Sequence, residues 1–218
     1  MINWKELEEL IKTRRSIRKF QDKPVPEELI LKAIELATWA PNGGNYQPWR
    51  FLIITNKDLI SKIADAVKAK TELMASWPEA AQFGEIVARW RKTSDFFRQA
   101  PVCVAVLMSK YSSIADQILK ARGEKDPLAA EIISYRQIGN STLQSIAAFV
   151  SYFLLLLHYF GLGACWMAGP LQAKKEIEEI LHVPPGWNFV NLIPVGYAAE
   201  TPRIPERKPL TEVVEFHR

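Results

Sequence analysis

Residues able to do chemistry fall in four short, widely separated segments. Arg14-Arg15-Ser16-Ile17-Arg18 places three guanidinium groups and a hydroxyl within five residues. Guanidinium is a planar fork that grips phosphate through paired, charge-assisted hydrogen bonds. In extended backbone Arg14, Ser16 and Arg18 project to one side. Taken alone, the cluster reads equally well as a solvated basic surface. The second segment is Ala40-Pro41-Asn42-Gly43-Gly44-Asn45-Tyr46-Gln47-Pro48-Trp49. Two glycines between asparagines let the backbone approach a flat ligand while offering N–H and amide groups.

The third segment, Gly161-Leu162-Gly163-Ala164-Cys165-Trp166-Met167-Ala168-Gly169-Pro170, puts small residues where a strand ends before a helix. Backbone donors at such a point can meet a ring nitrogen or an anion. The fourth is Pro194-Val195-Gly196-Tyr197-Ala198-Ala199-Glu200, followed by Pro205-Glu206-Arg207-Lys208-Pro209-Leu210. Each of these is also compatible with an ordinary turn or a charged tail. His158, His182 and His217 belong to no catalytic pattern, and His158 reads as a core or interface residue. Cys103 and Cys165 stand far apart in apolar, strand-like runs, so neither a disulfide framework nor a structural metal site is expected.

Several elements must position these segments. Trp4, Leu7, Leu10 and Ile11 repeat at helical spacing, with Asn3 and Glu6 as its cap. A second helix begins near Pro26, with Glu27 and Glu28 favoured by the dipole of its first turn. Leu29, Ile30, Ala33, Ile34, Ala37 and Ala40 form its buried stripe, and Pro41 ends it. Strands are expected at Trp49–Thr55, at Pro101–Met108, through Cys165 and Trp166, and near Phe189–Val195. Further helices are expected at about Asp58–Lys70 and Ala173–Leu181. Ser141 and Gln144 read as a capping box for a long helix reaching Phe160 and stopped by Gly161. That helix is apolar nearly all round, which requires a central place or a subunit interface. Residues 71–138, apart from the strand, read as a helical excursion or lid. The tail from Ala199 to Arg218 is Pro-rich, charged and too poor in apolar surface to pack alone.

Composition narrows the class. With 218 residues, 48% of them hydrophobic and 24% charged, one domain with a sizeable core is expected over 1–218, not a disordered or fibrous chain. The net charge is +4, with no long Lys/Arg run, which suits an anionic small ligand and argues against nucleic acid. The most apolar stretch, Ile146 to Leu157, is well short of the ~20 residues of a membrane span. The charged start of the chain lacks the apolar core of a signal peptide. A cytoplasmic protein without membrane contact is expected.

Taken in order, Arg-Arg-Ser-x-Arg-x-Phe, Ala-Pro-x-Gly-x-Asn-x-Gln-Pro-Trp, Gly-Leu-Gly-x-Cys-Trp and Val-Gly-Tyr…Arg-Lys-Pro-Leu resemble the nitroreductase family over about residues 10–56 and 143–215. The stretch 57–142 departs from the pattern. The resemblance implies an α+β fold, with helices around a central mixed, mostly antiparallel sheet. It implies a homodimer whose long helices pack together and whose C-terminal arms are exchanged, with FMN at the interface. It also implies hydride transfer from NADH or NADPH to a small organic acceptor, such as a nitroaromatic or quinone, with ping-pong kinetics. Related flavin chemistry such as reductive dehalogenation, fragmentation of reduced flavin, and non-catalytic FMN binding stay open as alternatives.

Carried over by position, Arg14, Arg15, Ser16 and Arg18 resemble the phosphate and ribityl contacts, and Arg207 with Lys208 a late phosphate contact. Asn42, Gly43, Asn45 and Gln47 resemble residues lining the flavin, some from the partner subunit. Ala168 and Gly169 resemble backbone facing flavin N5, flanked by Met167 and Pro170. No side chain is expected to act as nucleophile or general base, since the flavin carries the chemistry. Ser151 and Tyr152 depart from the acidic or amide residue and the small amide of the pattern.

Overall fold

A computed structural model of the chain describes residues 3–217. Met1, Ile2 and Arg218, the outermost residues of the expected first segment and tail, lie outside the described residues. The helices are α1 (Trp4–Thr13), α2 (Glu27–Ala37), α3 (Lys57–Ala75), α4 (Gly84–Thr93), α5 (Ile114–Arg122), α6 (Pro127–Gly139), α7 (Ser141–Tyr159) and α8 (Lys174–Ile180). The strands are β1 (Trp49–Ile54), β2 (Val102–Ser109), β3 (Gly163–Ala164) and β4 (Trp187–Gly196). They form one antiparallel sheet in the order β1-β2-β4-β3. Ser16 adds a parallel bridge to Ala164 on the β3 edge, so the arginine-rich segment continues the sheet as a short, irregular strand. This is the expected α+β class.

Core formation follows from strand periodicity. Val102, Val104 and Val106 of β2 point to one face, into a core with Ile30 and Ala33 of α2 and Phe149 and Phe153 of α7. Cys103, Ala105 and Leu107 point to the other, against Ile60, Ile63 and Val67 of α3 and Ile177 of α8. Side chains alternate across a strand, so a strand covered on both faces must be apolar at every position. Both cysteines are buried and free, as their apolar context required. Burial pushes the Cys103 thiol up, against a smaller opposing field from Lys57.

Three local expectations are corrected. The capping box at Ser141 and Gln144 does not form. Asn140, at φ 34°, ends α6 and begins α7, and its side-chain oxygen accepts from the Leu143 N–H at 3.1 Å. Asparagine tolerates left-handed backbone, so one residue turns the chain between two helices. The strand expected through Cys165 and Trp166 is confined to Gly163–Ala164; beyond it the chain follows β4 only through the Cys165 N–H to the Pro194 carbonyl and a bridge from Met167 to Leu192. Finally, α2 stops at Ala37, short of Pro41, in a turn where the Ala40 N–H donates to the Ala37 carbonyl. The run Pro127–Tyr159 is apolar and long enough in composition to cross a membrane. It is nonetheless two helices, and α7 sinks eight residues, Phe149 and Phe153 among them, into the core.

Candidate functional site

The arginine-rich segment is held from two sides. On one, the Ile17 N–H donates to the Ala164 carbonyl at 3.0 Å. On the other, the Gln21 N–H donates to the Tyr197 carbonyl at 2.9 Å and the Ala199 N–H to the Lys19 carbonyl at 3.0 Å. The Ile17 side chain is buried against Gly163, where a Cβ would stand 2.7 Å from Ile17 Cγ1. Gly196 permits an equally close approach by Pro101 and Phe20. The two glycines are therefore part of how the segment seats.

Ser16 bridges to Ala164, and Arg18 Nη1 donates to the Ser16 carbonyl at 3.4 Å. Burial pushes the nearby Cys165 thiol up, while Arg18, Ser16 and Arg14 act in the opposite sense. Three expected phosphate ligands thus belong to one end of the sheet edge. Arg15 behaves differently. Its Nη1 donates to the Lys12 and Arg14 carbonyls at 2.6 and 2.7 Å, serving the open C-terminus of α1. His158 hydrogen-bonds Thr13 Oγ1 at 2.9 Å, and burial first, then Arg14 and Arg15, lowers its pKa. It belongs to the α1–α7 contact.

The opposite end of the edge offers donors. From Ala164 beside Val195 to Met167 beside Leu192 the chain covers about 10 Å. Met167 exchanges two main-chain hydrogen bonds with Leu192, both at 3.1 Å. Ala168 and Gly169 then turn outward, exposed, and among the described residues their N–H groups have no acceptor. Nothing lies within 4 Å of where a Gly169 Cβ would stand. Behind them Asn191, buried in β4, donates to the Met167 carbonyl at 3.4 Å, and its Oδ1 has no partner among the described residues. Sequence reading missed Asn191; its signal was one amide inside the otherwise apolar run Phe189–Val195.

The glycine loop is strained and presented outward. Gly44, Asn45 and Gln47 all have φ between 51° and 59°. Glycine takes such backbone freely, but at Asn45 and Gln47 it costs energy and persists only where its surroundings enforce it. Asn42 supplies part of that enforcement, because its side-chain oxygen accepts from the Gln47 N–H at 2.9 Å. The Gly43 N–H donates to Ser145 Oγ at 3.2 Å, tying the loop to α7. Tyr111 lies over the glycines and packs against Tyr46 with ring centroids 5.2 Å apart and the rings tilted by 43°, an arrangement the sequence did not disclose. Asn45 and Gln47 are exposed.

Beyond the loop, a cavity of about 890 Å³ opens between the α5–α6 hairpin, the start of α7 and the start of β4. Met108, Leu171 and Phe189 give it apolar walls, and Lys110, Lys120 and Tyr111 line its polar side. Leu171 follows the Gly169 turn and Tyr111 covers the glycine loop, so the cavity is lined by neighbours of both segments expected to meet a flavin. Arg207 and Lys208 stand apart. They lie on the exposed arm, and among the described residues Arg207 donates only to the Glu206 carbonyl, at 3.2 Å.

This constellation, in this chain order, has counterparts. The sequence profile of the Nitroreductase family matches residues 11–197. The chain belongs to the nitroreductase family. Within that family it is 30% identical over 89% of its length to a putative NADH dehydrogenase/NAD(P)H nitroreductase of Methanothermobacter thermautotrophicus, covering 78% of that protein. It is 26% identical over 97% of its length to an iodotyrosine deiodinase of Thermotoga neapolitana, covering all of it. Among solved structures, a BluB-like flavoprotein from Clostridium difficile 630 superposes with a TM-score of 0.85 at 30% identity, over 97% of this chain and 99% of that one. The nitroreductase fold thus extends from α1 into the C-terminal arm, including the stretch 57–142 where the motifs fall silent.

Proposed function

We propose that this nitroreductase-family protein is an FMN-dependent oxidoreductase that takes hydride from NADH or NADPH and reduces a small organic acceptor. One observation carries the reading: Ser16 bridges to Ala164 on the sheet edge, with Arg14 and Arg18 on either side of it in the chain and Arg18 reaching the Ser16 carbonyl, and farther along that edge stand the free N–H groups of Ala168 and Gly169. That donor set fits FMN. A phosphate dianion matches paired guanidinium groups and a hydroxyl, and the short clamp offers no glycine-rich dinucleotide loop for FAD. Bound there, FMN supplies the hydride and electron chemistry.

The chain's own groups then have separate tasks. Arg14, Ser16 and Arg18 hold the phosphate. Ala168 or Gly169 donates toward the ring, Met167 flanks it, and Asn191, whose Nδ2 donates to the Met167 carbonyl, steadies the chain behind it. Asn42, Gly43, Asn45 and Gln47 form the outward loop that meets a flavin, in a homodimer from the neighbouring subunit. The cavity beside Tyr111 and Leu171 receives the acceptor, with the α5–α6 hairpin as its lid; β2, within the stretch 71–138, belongs to the core instead. Pyridine nucleotide and acceptor use the same open side in turn.

Dimerisation is part of the proposal. Trp4, Leu7 and Ile11 expose one face of α1, Tyr152 and Tyr159 stand out from α7, and Ile204, Leu210 and Val213 mark the exposed arm. Apolar surface exposed to this extent calls for a partner. An exchanged arm would deliver Arg207 and Lys208 to the second subunit's phosphate cluster. A dimeric mass in solution is expected, and a monomer that still holds FMN tightly would sink this part.

The identity of the acceptor is tested by anaerobic titration. The purified protein is expected to carry or take up FMN and to be bleached by NADH or NADPH. A nitroaromatic or quinone should then restore the oxidised spectrum. Relatives named iodotyrosine deiodinases motivate the second reading. If a halogenated phenol restores the spectrum and releases halide while nitroaromatics do not, reductive dehalogenation replaces nitroreduction. If neither nicotinamide reacts, the protein only binds flavin.

A further inference from the structure

Glu200 has no task in the site as described, yet its carboxylate sits against it. Glu200 Oε1 accepts from two consecutive main-chain groups, the Arg18 N–H at 2.5 Å and the Lys19 N–H at 3.0 Å. Those residues belong to the segment that carries the phosphate cluster. Its position is fixed by the ladder just before it, where Phe20 pairs with Ala198, the Ala199 N–H meets the Lys19 carbonyl and Gln21 Nε2 donates to the Ala198 carbonyl at 2.8 Å. Its charge is felt at the Cys165 thiol alongside those of Arg18 and Arg14. An anion held beside a phosphate site is unfavourable on charge alone, so its hydrogen bonds must account for its place.

We infer that Glu200 is a positioning residue for FMN: it fixes the backbone at Arg18 and Lys19 so that Arg14, Ser16 and Arg18 meet the phosphate already ordered. The inference rests on the FMN reading above. Two consecutive N–H groups on one oxygen set the direction of the chain where the Arg18 side chain departs. Pre-ordering of this kind improves affinity by lowering what must be immobilised on binding. The competing view treats Glu200 as a bystander charge or as a plug that phosphate displaces, and it predicts effects of opposite sign.

The test measures dissociation constants for FMN and for riboflavin, which lacks the phosphate, by flavin fluorescence, using wild type, Glu200→Gln, Glu200→Asp and Glu200→Ala. Glutamine keeps the acceptor and loses the charge; aspartate keeps the charge and falls short by one methylene. For a positioning role, Glu200→Gln binds FMN as well as wild type or better. Glu200→Asp and Glu200→Ala bind it about tenfold more weakly, the order expected for a lost charge-assisted hydrogen bond. Riboflavin affinity stays unchanged throughout. If Glu200→Asp matches wild type while Glu200→Gln and Glu200→Ala bind FMN more tightly, the carboxylate acts only as a charge and the inference is overturned. Should Glu200→Ala fail to fold, the Asp and Gln pair still decides. A wild type with no preference for FMN over riboflavin overturns the phosphate site itself, which is a separate failure.

Discussion

The edge that carries the phosphate cluster and the α5–α6 hairpin that covers the cavity are built in opposite ways. Residues 14–21 are bonded to β3 on one side and to residues 197–200 on the other, with Ile17 buried and glycines beneath both contacts. The hairpin buries only Ala129 and leaves Ile114, Ile118, Leu128 and Ile138 largely in solvent. Its ties are polar: Arg136 to Asp116 and Ser113, and Arg122 to Asp126. A group that must meet one invariant phosphate gains from rigidity, whereas a cover over a variable acceptor gains from low local stability. Anchoring and adaptability have thus been assigned to different parts of one chain.

The largest effect expected from this contrast is on ligand affinity. Arg18→Ala should weaken FMN binding by about 10- to 150-fold, the range for one lost charge-assisted contact. Riboflavin affinity should hardly move. Arg15→Ala offers the internal control, because its guanidinium serves the end of α1. It should leave FMN affinity nearly intact and cost helix stability of about 0.3–1 kcal/mol instead. Equal losses from both substitutions would show that Arg15 swings onto the phosphate and that the division drawn here is wrong.

Next in size are glycine substitutions. At Gly163 an added Cβ would press on Ile17 Cβ and Cγ atoms at 2.7–3.0 Å, in a buried, anchored place. Gly163→Ala is expected to destabilise the fold by about 1–3 kcal/mol through overpacking and to loosen FMN binding. Gly123→Ala in the hairpin brings an equally short contact, 2.7 Å, but to Ile133 Cδ1, the free end of a flexible side chain. It should change stability by less than about 0.5 kcal/mol. Chemical denaturation of the two variants measures the contrast, and similar losses would mean that the hairpin is as tightly packed as the sheet.

Much of the anchored region was legible beforehand. The α2 stripe, the two-sided β2 run and the chain order of the four motifs follow from side-chain periodicity and from residue chemistry within a few positions. What escaped depends on contacts distant in sequence or on backbone geometry. Glu200 lies 182 residues from Arg18, and no local pattern marks their hydrogen bond. Asn140 displaced Ser141 as the cap because a left-handed residue, not a hydroxyl, decides where two abutting helices turn. Nothing in the motif separates Arg15 from its neighbours, since its guanidinium turns to the Lys12 and Arg14 carbonyls only where α1 ends. Arg207 bonds only its neighbour's carbonyl among the described residues, and its proposed destination on a second subunit is not written in one chain's sequence. Asn140→Ala tests the first of these lessons directly. It should cost about 1 kcal/mol, and Asn140→Gly less, because glycine accepts the positive φ. A larger loss for glycine would show that the side-chain cap outweighs the backbone turn.

The smallest expected effect lies in the hairpin's own latch. Arg136 Nε donates to Asp116 Oδ1 at 2.6 Å, and the Ser113 hydroxyl and N–H both donate to Oδ2 at 2.7 and 2.8 Å. The Arg136 guanidinium first, then Ser113, holds the Asp116 carboxyl well below the usual carboxylate range. A carboxyl whose folded pKa is depressed adds stability that is fully present above its unfolded pKa, about 4. That stability is lost as the pH falls from there toward the folded value. The groups are solvent-facing, so the global midpoint of unfolding should scarcely register the loss. Amide hydrogen exchange resolves it locally. Between neutral pH and about pH 3, α5 and α6 should lose protection before β2 and β4 do, relative to the intrinsic exchange rate at each pH. Asp116→Asn should weaken the hairpin already at neutral pH and flatten its further response to acid. If wild type and Asp116→Asn show the same acid response, other carboxylates set it and the latch is incidental. If hairpin and sheet open together, the two regions form one cooperative unit, and the contrast between a rigid clamp and a yielding cover fails.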